Sequence, residues 1–334
     1  MEISRPFIRL PFVFDAERMA AEVEALDEGA WMAHPSRMAG NAAMPLISRD
    51  AGDNDDFDGA MSPTRHLDKC EYIRQVMASF GEVLGRSRLM KLAPGAEVAT
   101  HVDFNYHWYT RVRIHIPVIT HPDVTFYCAD EKVHMQPGES WIFNSWRRHR
   151  VVNDSSVHRV HLVLDTAGSS RFWGVVRQMG EFDPVTDRGR VEERLQSIAY
   201  LPGKEVKLLT EKYNIAPVMS PGELDALISA LVSDFENNPE NDLGLVAAYR
   251  LMLYEFTKDW RETWHLYGYQ KEGWPRYQKL IDAVTSKLHP NRRALVTSTN
   301  QVGVNPIIVQ RILRSALAVD KYDQFIGGVD SSSS

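Results

Sequence analysis

The fold is decided by the stretch RVRIHIPVI, residues 111–119, in which apolar and polar side chains alternate. Alternation with a period of two is typical of a β-strand that buries one face. Similar segments surround it, separated by turn residues such as Pro94-Gly95 and Pro137-Gly138. The predicted strands span residues 88–92, 98–104, 111–119, 124–128, 140–143, 148–152 and 159–164. Short strands at this spacing predict an antiparallel sandwich or barrel.

Helical patterns flank this β-region. Asp15 is the predicted N-cap of a first helix, and Asp68 with Glu71 forms the predicted capping box of a second one. Ser220, followed by Pro221, predicts the start of a later helix. Helical spacing recurs at residues 243–256, 277–288 and 307–317. We therefore expect N-terminal helices plus a β-core in residues 1–168, a helical C-terminal domain in residues 169–330, and a disordered tail in residues 331–334.

Composition narrows the class of protein. The 334 residues are 44% hydrophobic and 25% charged, with a formal charge of −6, which is ordinary for a globular chain. With only two cysteines, Cys70 and Cys128, a disulfide framework and an all-cysteine metal site are excluded. No apolar run reaches the roughly 18 residues of a membrane span. We expect a cytoplasmic protein that binds neither membranes nor nucleic acid.

Histidine and positive charge concentrate in the predicted β-region. Eight of the 12 histidines lie between residues 101 and 161. Residues 86–165 contain ten Lys or Arg and eight Asp or Glu, so this stretch carries +2 and the rest of the chain −8. A cationic, histidine-rich centre in an acidic chain favours a site for a metal or an anion, although ordinary strands could carry the same residues.

The predicted strand 98–104 contains His101-Val102-Asp103. Residues i and i+2 of a strand point to one face, so this imidazole and this carboxylate are expected side by side. A histidine from a distant strand would complete a two-histidine, one-carboxylate set, which leaves coordination positions open on a metal. His149 is the best candidate, 46 residues after Asp103. Alone, a His-x-Asp pair on a strand is more often a simple hydrogen-bonded pair than part of a metal site.

Two further strands supply cationic groups. Arg159 alternates with apolar residues, ten positions after His149, and is predicted to lie beside it in a hairpin. An inward arginine next to a metal requires an anion, and a carboxylate suits its bidentate geometry. Arg113 and His115 share the polar face of the strand 111–119, and we expect that face to line the inside of the barrel.

Together these motifs resemble the aspartyl/asparaginyl β-hydroxylase-like branch of the Fe(II)/2-oxoglutarate dioxygenases. The resemblance covers about residues 30–168. It is carried by RLMKLAPG (88–95), HVD (101–103), RIHIP (113–117), PGE (137–139), HRVVN (149–153) and RVHLVLD (159–165). It implies a double-stranded β-helix, the cupin-like jelly roll, in which His101, Asp103 and His149 bind Fe(II). Arg159 would then hold the distal carboxylate of 2-oxoglutarate, with Arg113 and His115 near its other end.

The resemblance also implies a reaction. Such enzymes use O2 to hydroxylate an unactivated C–H bond and release succinate and CO2. Vertebrate-type peptide hydroxylases of this family lack the carboxylate ligand, so Asp103 favours the bacterial branch that resembles L-proline cis-4-hydroxylase. The expected substrate is a small carboxylate-bearing molecule, such as a free amino acid or a derivative. The candidate substrate residues are Arg88, Tyr106, Trp108, Trp146 and Arg148.

Two alternatives stay open at this point. The chain could be a peptide or protein β-hydroxylase that docks its substrate on the tryptophan-rich C-terminal helices, which are also a candidate homodimer surface. It could instead be a non-catalytic cupin-like protein that binds a metal or an organic acid.

Overall fold

Two β-sheets form within residues 7–210 of this chain. The structure, a computed structural model, describes residues 3–33 and 39–323. The strands are β1 (Phe7–Phe14), β2 (Met32–Ala33), β3 (Asn41–Arg49), β4 (Met61–Pro63), β5 (Val83–Leu92), β6 (Glu97–His101), β7 (Val112–Ile119), β8 (Val124–Cys128), β9 (Glu131–Val133), β10 (Glu139–Phe143), β11 (His149–Asn153), β12 (Arg159–Thr166), β13 (Gln196–Ile198) and β14 (Leu209–Thr210). The large sheet has the order β13-β1-β10-β7-β12-β5-β3-β2, with β14 paired to β5 and β4 to β3. The small sheet has the order β6-β11-β8-β9. This arrangement confirms the predicted double-stranded β-helix.

The large sheet buries both of its faces. On β7 the residues Val112, Ile114, Ile116 and Val118 belong to a core shared with the N-terminal helices. His115 points the other way, toward Phe126 and Phe143 of the small and large sheets, with ring centroids 5.5 and 5.3 Å away. Phe126 and Phe143 belong to a second core, between the sheets. The alternation along residues 111–119 therefore separates two cores, and the polar face lies inside the fold.

The first helices are α1 (Ala16–Glu24) and α2 (Glu71–Ser79). Asp15 caps α1 as predicted, accepting a hydrogen bond from the Arg18 amide at 3.0 Å. The predicted capping box of α2 is wrong, because the helix begins at Glu71 and its N-cap residue makes no side-chain hydrogen bond. The Glu22 carboxylate of α1 replaces it, accepting from the amides of Tyr72 and Ile73 at 2.6 and 2.9 Å. No local pattern encodes a cap supplied by another helix.

Backbone contacts divide the chain into two compact units. The first comprises Met1–Asp103 and Thr110–Lys212, and the second comprises Phe104–Tyr109 and Tyr213–Ser334. The first unit continues past residue 168 because α4 (Ser170–Met179) packs on the β1 side of the large sheet through Phe172, Val176 and Met179. A short helix, α5 (Arg188–Glu192), follows it. A boundary between independent domains at residue 168 stays a prediction, and the predicted tail lies outside the described residues.

The second unit is helical. It contains part of α3 (Tyr106–Thr110), then α6 (Pro221–Glu236), α7 (Leu243–Tyr267), α8 (Trp274–Lys287), α9 (Val304–Ile307), a π-helical turn (Ile308–Leu313) and α10 (Arg314–Ala316). Ser220 caps α6 as predicted, accepting from the Glu223 amide at 3.3 Å. The rings of Trp260 and Tyr277 are fully buried, with centroids 4.4 Å apart. In the described part of the chain, no helix combines the length and apolarity that crossing a bilayer requires.

Candidate active site

Two histidines face each other across the small sheet. His101 at the end of β6 is the register partner of His149 at the start of β11. Directly opposed residues of antiparallel strands project to the same face, and the two ring centroids are 4.1 Å apart. The structure therefore brings together two imidazoles that are 48 residues apart in the sequence.

Asp103 lies next to both histidines, although it is outside the strand and strand alternation does not place it there. Strand β6 ends at His101, so Asp103 lies beyond the ladder, and the expectation that it shares a strand face with His101 is wrong. Its amide instead donates a hydrogen bond to the Ser145 carbonyl at 3.0 Å. Its carboxylate oxygens lie 3.9 Å from Nε2 of His101 and 3.9 Å from Nε2 of His149. One ligand atom from each residue lies within 4.8 Å of the others; we call these three residues the metal cluster.

Hydrogen bonds orient the donors of the metal cluster. Nδ1 of His101 lies 2.8 Å from the Ala99 carbonyl, and Nδ1 of His149 lies 2.9 Å from the Arg147 carbonyl. A carbonyl only accepts, so each Nδ1 carries the proton and each Nε2 keeps its lone pair. Burial lowers the pKa of His149 to about 4, which keeps that ring neutral at physiological pH. Asp103 Oδ2 is buried without a hydrogen-bond partner among the described residues. Two lone pairs and a carboxylate thus converge, a donor set that could hold a metal ion.

A second cluster lies in the large sheet. Arg159 of β12 is 5% exposed, and its Nη2 donates to Nδ1 of His161 at 2.8 Å. His161 Nδ1 lies 3.5 Å from Nδ1 of His115 on β7. We call Arg159, His161 and His115 the anion cluster. Burial, and then the charge of Arg113, lower the pKa of Arg159 to about 9.

The anion cluster has unused hydrogen-bonding groups. Within the described residues Arg159 has no carboxylate partner, and its Nε is buried without an acceptor. Nε2 of His115 and Nε2 of His161 are likewise buried and unpartnered there. Burial lowers the pKa of both histidines well below the usual value, so both are neutral. A buried cation with no counter-charge, flanked by two imidazole nitrogens, is suited to a carboxylate.

Sequence reasoning missed His161. Its signal was present, because His161 is two residues after Arg159 and therefore on the same face of β12. The predicted hairpin of Arg159 with His149 is wrong, since β11 pairs with β6 and β8 whereas β12 pairs with β5 and β7. Phe143 instead connects the two clusters between the sheets. Its ring centroid lies 4.8 Å from that of His149 in the metal cluster and 5.3 Å from that of His115 in the anion cluster.

A network of ion pairs adjoins the anion cluster. Arg113 Nε lies 3.2 Å from Asp165 Oδ1, and Arg86 Nε lies 3.5 Å from Asp165 Oδ2. Arg86 also pairs with Asp55 at 2.9 Å, and Arg88 pairs with the same Asp55 oxygen. The side chain of Asp55 is only 15% exposed. The sequence signal for this pairing is the alternation of Arg86 and Arg88 on the buried strand β5, because buried cations require partners.

The predicted substrate residues fall into both units. In the first unit Arg88 is fully buried on β5, Trp146 is half-buried, and Arg148 is exposed in the turn before β11. Tyr106 and Trp108 lie in the segment Phe104–Tyr109 of the second unit. The Tyr106 hydroxyl donates to the Glu223 carboxylate, and Trp108 is buried.

Sequence comparison bears on this geometry. Residues 59–168 match the model of the aspartyl/asparaginyl beta-hydroxylase family. This segment is similar to the hydroxylase domain of that family over 110 of the 334 residues. It includes both clusters and Arg113, and it confirms the predicted resemblance over about a third of the chain, so the protein is an enzyme of the hydroxylase class. The closer likeness to L-proline cis-4-hydroxylase stays a prediction. No curated protein matches the chain.

Solved structures with a related arrangement are distant. An oxidoreductase of the 2OG-Fe(II) oxygenase family from Burkholderia pseudomallei has 14% identity and a TM-score of 0.35, covering 46% of this chain and 78% of its own. A prolyl-4-hydroxylase from Pseudomonas putida has 14% identity and a TM-score of 0.33, covering 50% and 95%. A prolyl hydroxylase from Trichoplax adhaerens, in complex with a hypoxia inducible factor peptide fragment, has 12% identity and a TM-score of 0.36, covering 49% and 84%. The function of this chain is therefore inferred from the domain match and from the two clusters.

Proposed function

We propose that this protein is an Fe(II)- and 2-oxoglutarate-dependent dioxygenase. It hydroxylates an unactivated C–H bond of a small carboxylate-bearing molecule, such as a free amino acid or a derivative. The observation that carries the proposal is a two-histidine, one-carboxylate cluster in the same inter-sheet interior as a buried arginine without a counter-charge. The hydroxylase domain match over residues 59–168 supports it.

The residues fit the metal. His101 and His149 each offer an Nε2 lone pair, and Asp103 offers an oxygen that no described residue satisfies. Three protein donors leave coordination positions open for a co-substrate and oxygen, as in non-haem Fe(II) oxygenases. When bound, Fe(II) with 2-oxoglutarate would supply the activation of O2, and the turnover would release succinate and CO2.

The anion cluster fits the co-substrate. Arg159 would hold the distal carboxylate of 2-oxoglutarate in a charge-assisted pair, which burial strengthens. His161 accepts from Nη2 of Arg159 and so orients the guanidinium. Arg113 and His115 would face the other end of the co-substrate, since Arg113 influences the pKa of His149 and that of Arg159. The two sheets around these residues would exclude water during the reaction.

The concentration of arginines supports a carboxylate on the substrate as well. Arg86, Arg88 and Arg113 lie together in the ion-pair network with Asp55 and Asp165. Arg88 is already paired with Asp55, so a substrate carboxylate that uses Arg88 must share it with Asp55 or displace Asp55. We further propose that the substrate is contacted by Tyr106, Trp108, Trp146 and Arg148. The protein would be cytoplasmic, and it would form a homodimer through the C-terminal helices.

The deciding experiment measures succinate formation with Fe(II), 2-oxoglutarate and a panel of free amino acids and peptides. Wild type should turn over, and His101→Ala and Asp103→Ala should not. His158→Ala, which alters an exposed histidine of the same domain, is the matched control and should retain activity. Equal activity in wild type and both cluster variants would refute the assignment.

The product spectrum distinguishes the alternatives. Mass spectrometry should find one added oxygen on a free amino acid or derivative. Oxygen added only to peptides would favour a peptide or protein β-hydroxylase. Tight metal binding without 2-oxoglutarate turnover on any substrate would favour a non-catalytic cupin-like binding protein.

A further inference from the structure

The segment Phe104–Tyr109 joins the metal cluster to the helical unit by covalent bonds. Asp103 is the last residue of the first stretch of unit 1, and Phe104 opens a six-residue segment of unit 2. The chain returns to unit 1 at Thr110. The backbone position of Asp103 therefore depends on how unit 2 holds the residues that follow it.

Contacts within unit 2 hold this segment at several points. Arg311 Nε donates a hydrogen bond to the Phe104 carbonyl at 2.9 Å. The same guanidinium lies over the Tyr109 ring, 5.2 Å from its centroid, a favourable cation–π arrangement. The Tyr106 hydroxyl donates to Glu223 in the first turn of α6. Arg311 thus contacts both the first and the last residue of the segment.

Arg311 is buried, which is unusual for an arginine because removing its charge from water costs free energy. It is 4% exposed, and burial lowers its pKa to about 10. It sits on the π-helical turn Ile308–Leu313, a rare backbone conformation that frequently occurs at functional sites. A buried arginine directed at a main-chain carbonyl suits a residue that fixes the path of the backbone.

Asp103 needs such support because no strand pairing holds it. Strand β6 ends two residues earlier, and the Asp103 amide is held by the Ser145 carbonyl. The following residue is held by Arg311. With only the first of these bonds, the peptide after Asp103 could rotate and move the carboxylate away from His101 and His149.

We infer that Arg311 is a positioning residue for the metal cluster: by binding the Phe104 carbonyl it fixes the backbone that carries the Asp103 carboxylate. The inference rests on the proposed function, because it takes Asp103 to be a metal ligand. It assigns the helical unit a part in metal binding that the matched domain alone does not contain.

The test uses full-length protein and Co(II) as the metal, read out by its visible absorption and by calorimetric titration. Arg311→Ala should weaken Co(II) binding about ten-fold, the lower end of the effect of removing an outer-shell partner. Arg311→Lys should restore part of the affinity, because an ammonium can still donate to the Phe104 carbonyl. Arg314→Ala, an exposed arginine three residues later, is the matched control and should bind like wild type.

Equal Co(II) affinity in wild type and Arg311→Ala would overturn the inference and leave the proposed function intact. A loss of the same size in Arg314→Ala would also overturn it, since the effect would then be unspecific. If Arg311→Ala does not fold, Arg311→Lys and Tyr106→Phe are judged by the same criteria, and unchanged affinity in both overturns the inference. Co(II) binding that Asp103→Ala leaves unchanged would instead refute the proposed function.

Discussion

The metal cluster and the anion cluster share one interior but differ in access to solvent. The side chains of His101 and Asp103 are 38% and 16% exposed, whereas Arg159, His161 and His115 are 5%, 2% and 4% exposed. The metal cluster is the open one: an ion from solvent can reach it at His101 and Asp103, although its third member, His149, is 3% exposed. The anion cluster is the closed one: its cation has no counter-charge among the described residues, so it requires an anion that enters from solvent. The comparison suggests two separable affinities, one for the metal and one for the co-substrate.

Removing a donor from the open cluster should produce the largest effect. His149→Ala deletes one of three ligands, so we expect Co(II) affinity to fall more than about 100-fold, beyond the loss typical of outer-shell changes. Calorimetric titration of metal-free protein measures it. His134→Ala, on a histidine of the same sheet region that bonds the Val124 carbonyl, should bind normally. Unchanged affinity in His149→Ala would break the assignment of the open cluster to metal.

Removing the cation of the closed cluster should act on the co-substrate instead. Arg159→Ala should raise the KM for 2-oxoglutarate about 30- to 100-fold, because losing one partner of a buried charge pair costs about 2–3 kcal/mol. Its Co(II) affinity should stay at the wild-type value. Arg177→Ala removes an exposed arginine of α4 and serves as control. A KM equal to that of wild type would contradict the role of Arg159.

Substitution of His161 tests whether Arg159 needs its neighbour in the closed cluster to bind 2-oxoglutarate. His161→Leu removes the acceptor for Arg159 Nη2, and losing such a bond costs about 1–1.5 kcal/mol. The KM for 2-oxoglutarate should therefore rise about ten-fold, and His161→Asn, whose amide oxygen can accept, should recover part of the loss. Steady-state kinetics decide it. A change in Co(II) affinity without a change in KM would show that the two clusters are not separable.

The closed cluster should also make stability depend on pH. A histidine in the unfolded chain titrates near pH 6.5, while burial holds the pKa values of His115 and His161 well below that in the fold. Below pH 6.5 these two histidines become protonated in the unfolded chain but stay neutral in the folded protein. Stability is therefore complete above pH 6.5 and is lost as the pH falls toward the folded pKa values, with a limiting slope of about 1.4 kcal/mol per pH unit for each histidine.

Urea unfolding of metal-free protein between pH 4.5 and 7.5 measures this dependence. His161→Leu should lower the slope by one histidine's share, and His158→Gln, at an exposed position, should leave it unchanged. Identical slopes in wild type and His161→Leu would contradict a neutral, buried His161.

The strands that alternate were predictable, and those that do not alternate were missed. Residues 111–119 and 124–128 form β7 and β8 almost as predicted. Strand β1 was not predicted, because it is buried nearly throughout and its sequence, FIRLPFVF, does not alternate. Strand β3 contains Pro45, which argues against a strand, yet a register irregularity after Pro45 accommodates it. Periodicity therefore found strands with two different faces and overlooked the others.

By itself, the sequence determined the candidate residues of the site. Residue type and order singled out His101, Asp103, His149 and Arg159. Tertiary structure alone decided the rest: the register that opposes His101 to His149, the placement of Arg159 beside His161 in the other sheet, and the hold of Arg311 on Phe104. The period of a strand indicates which of its side chains share a face but not which strand it pairs with. Pairing between distant segments depends on how whole sheets and helices pack.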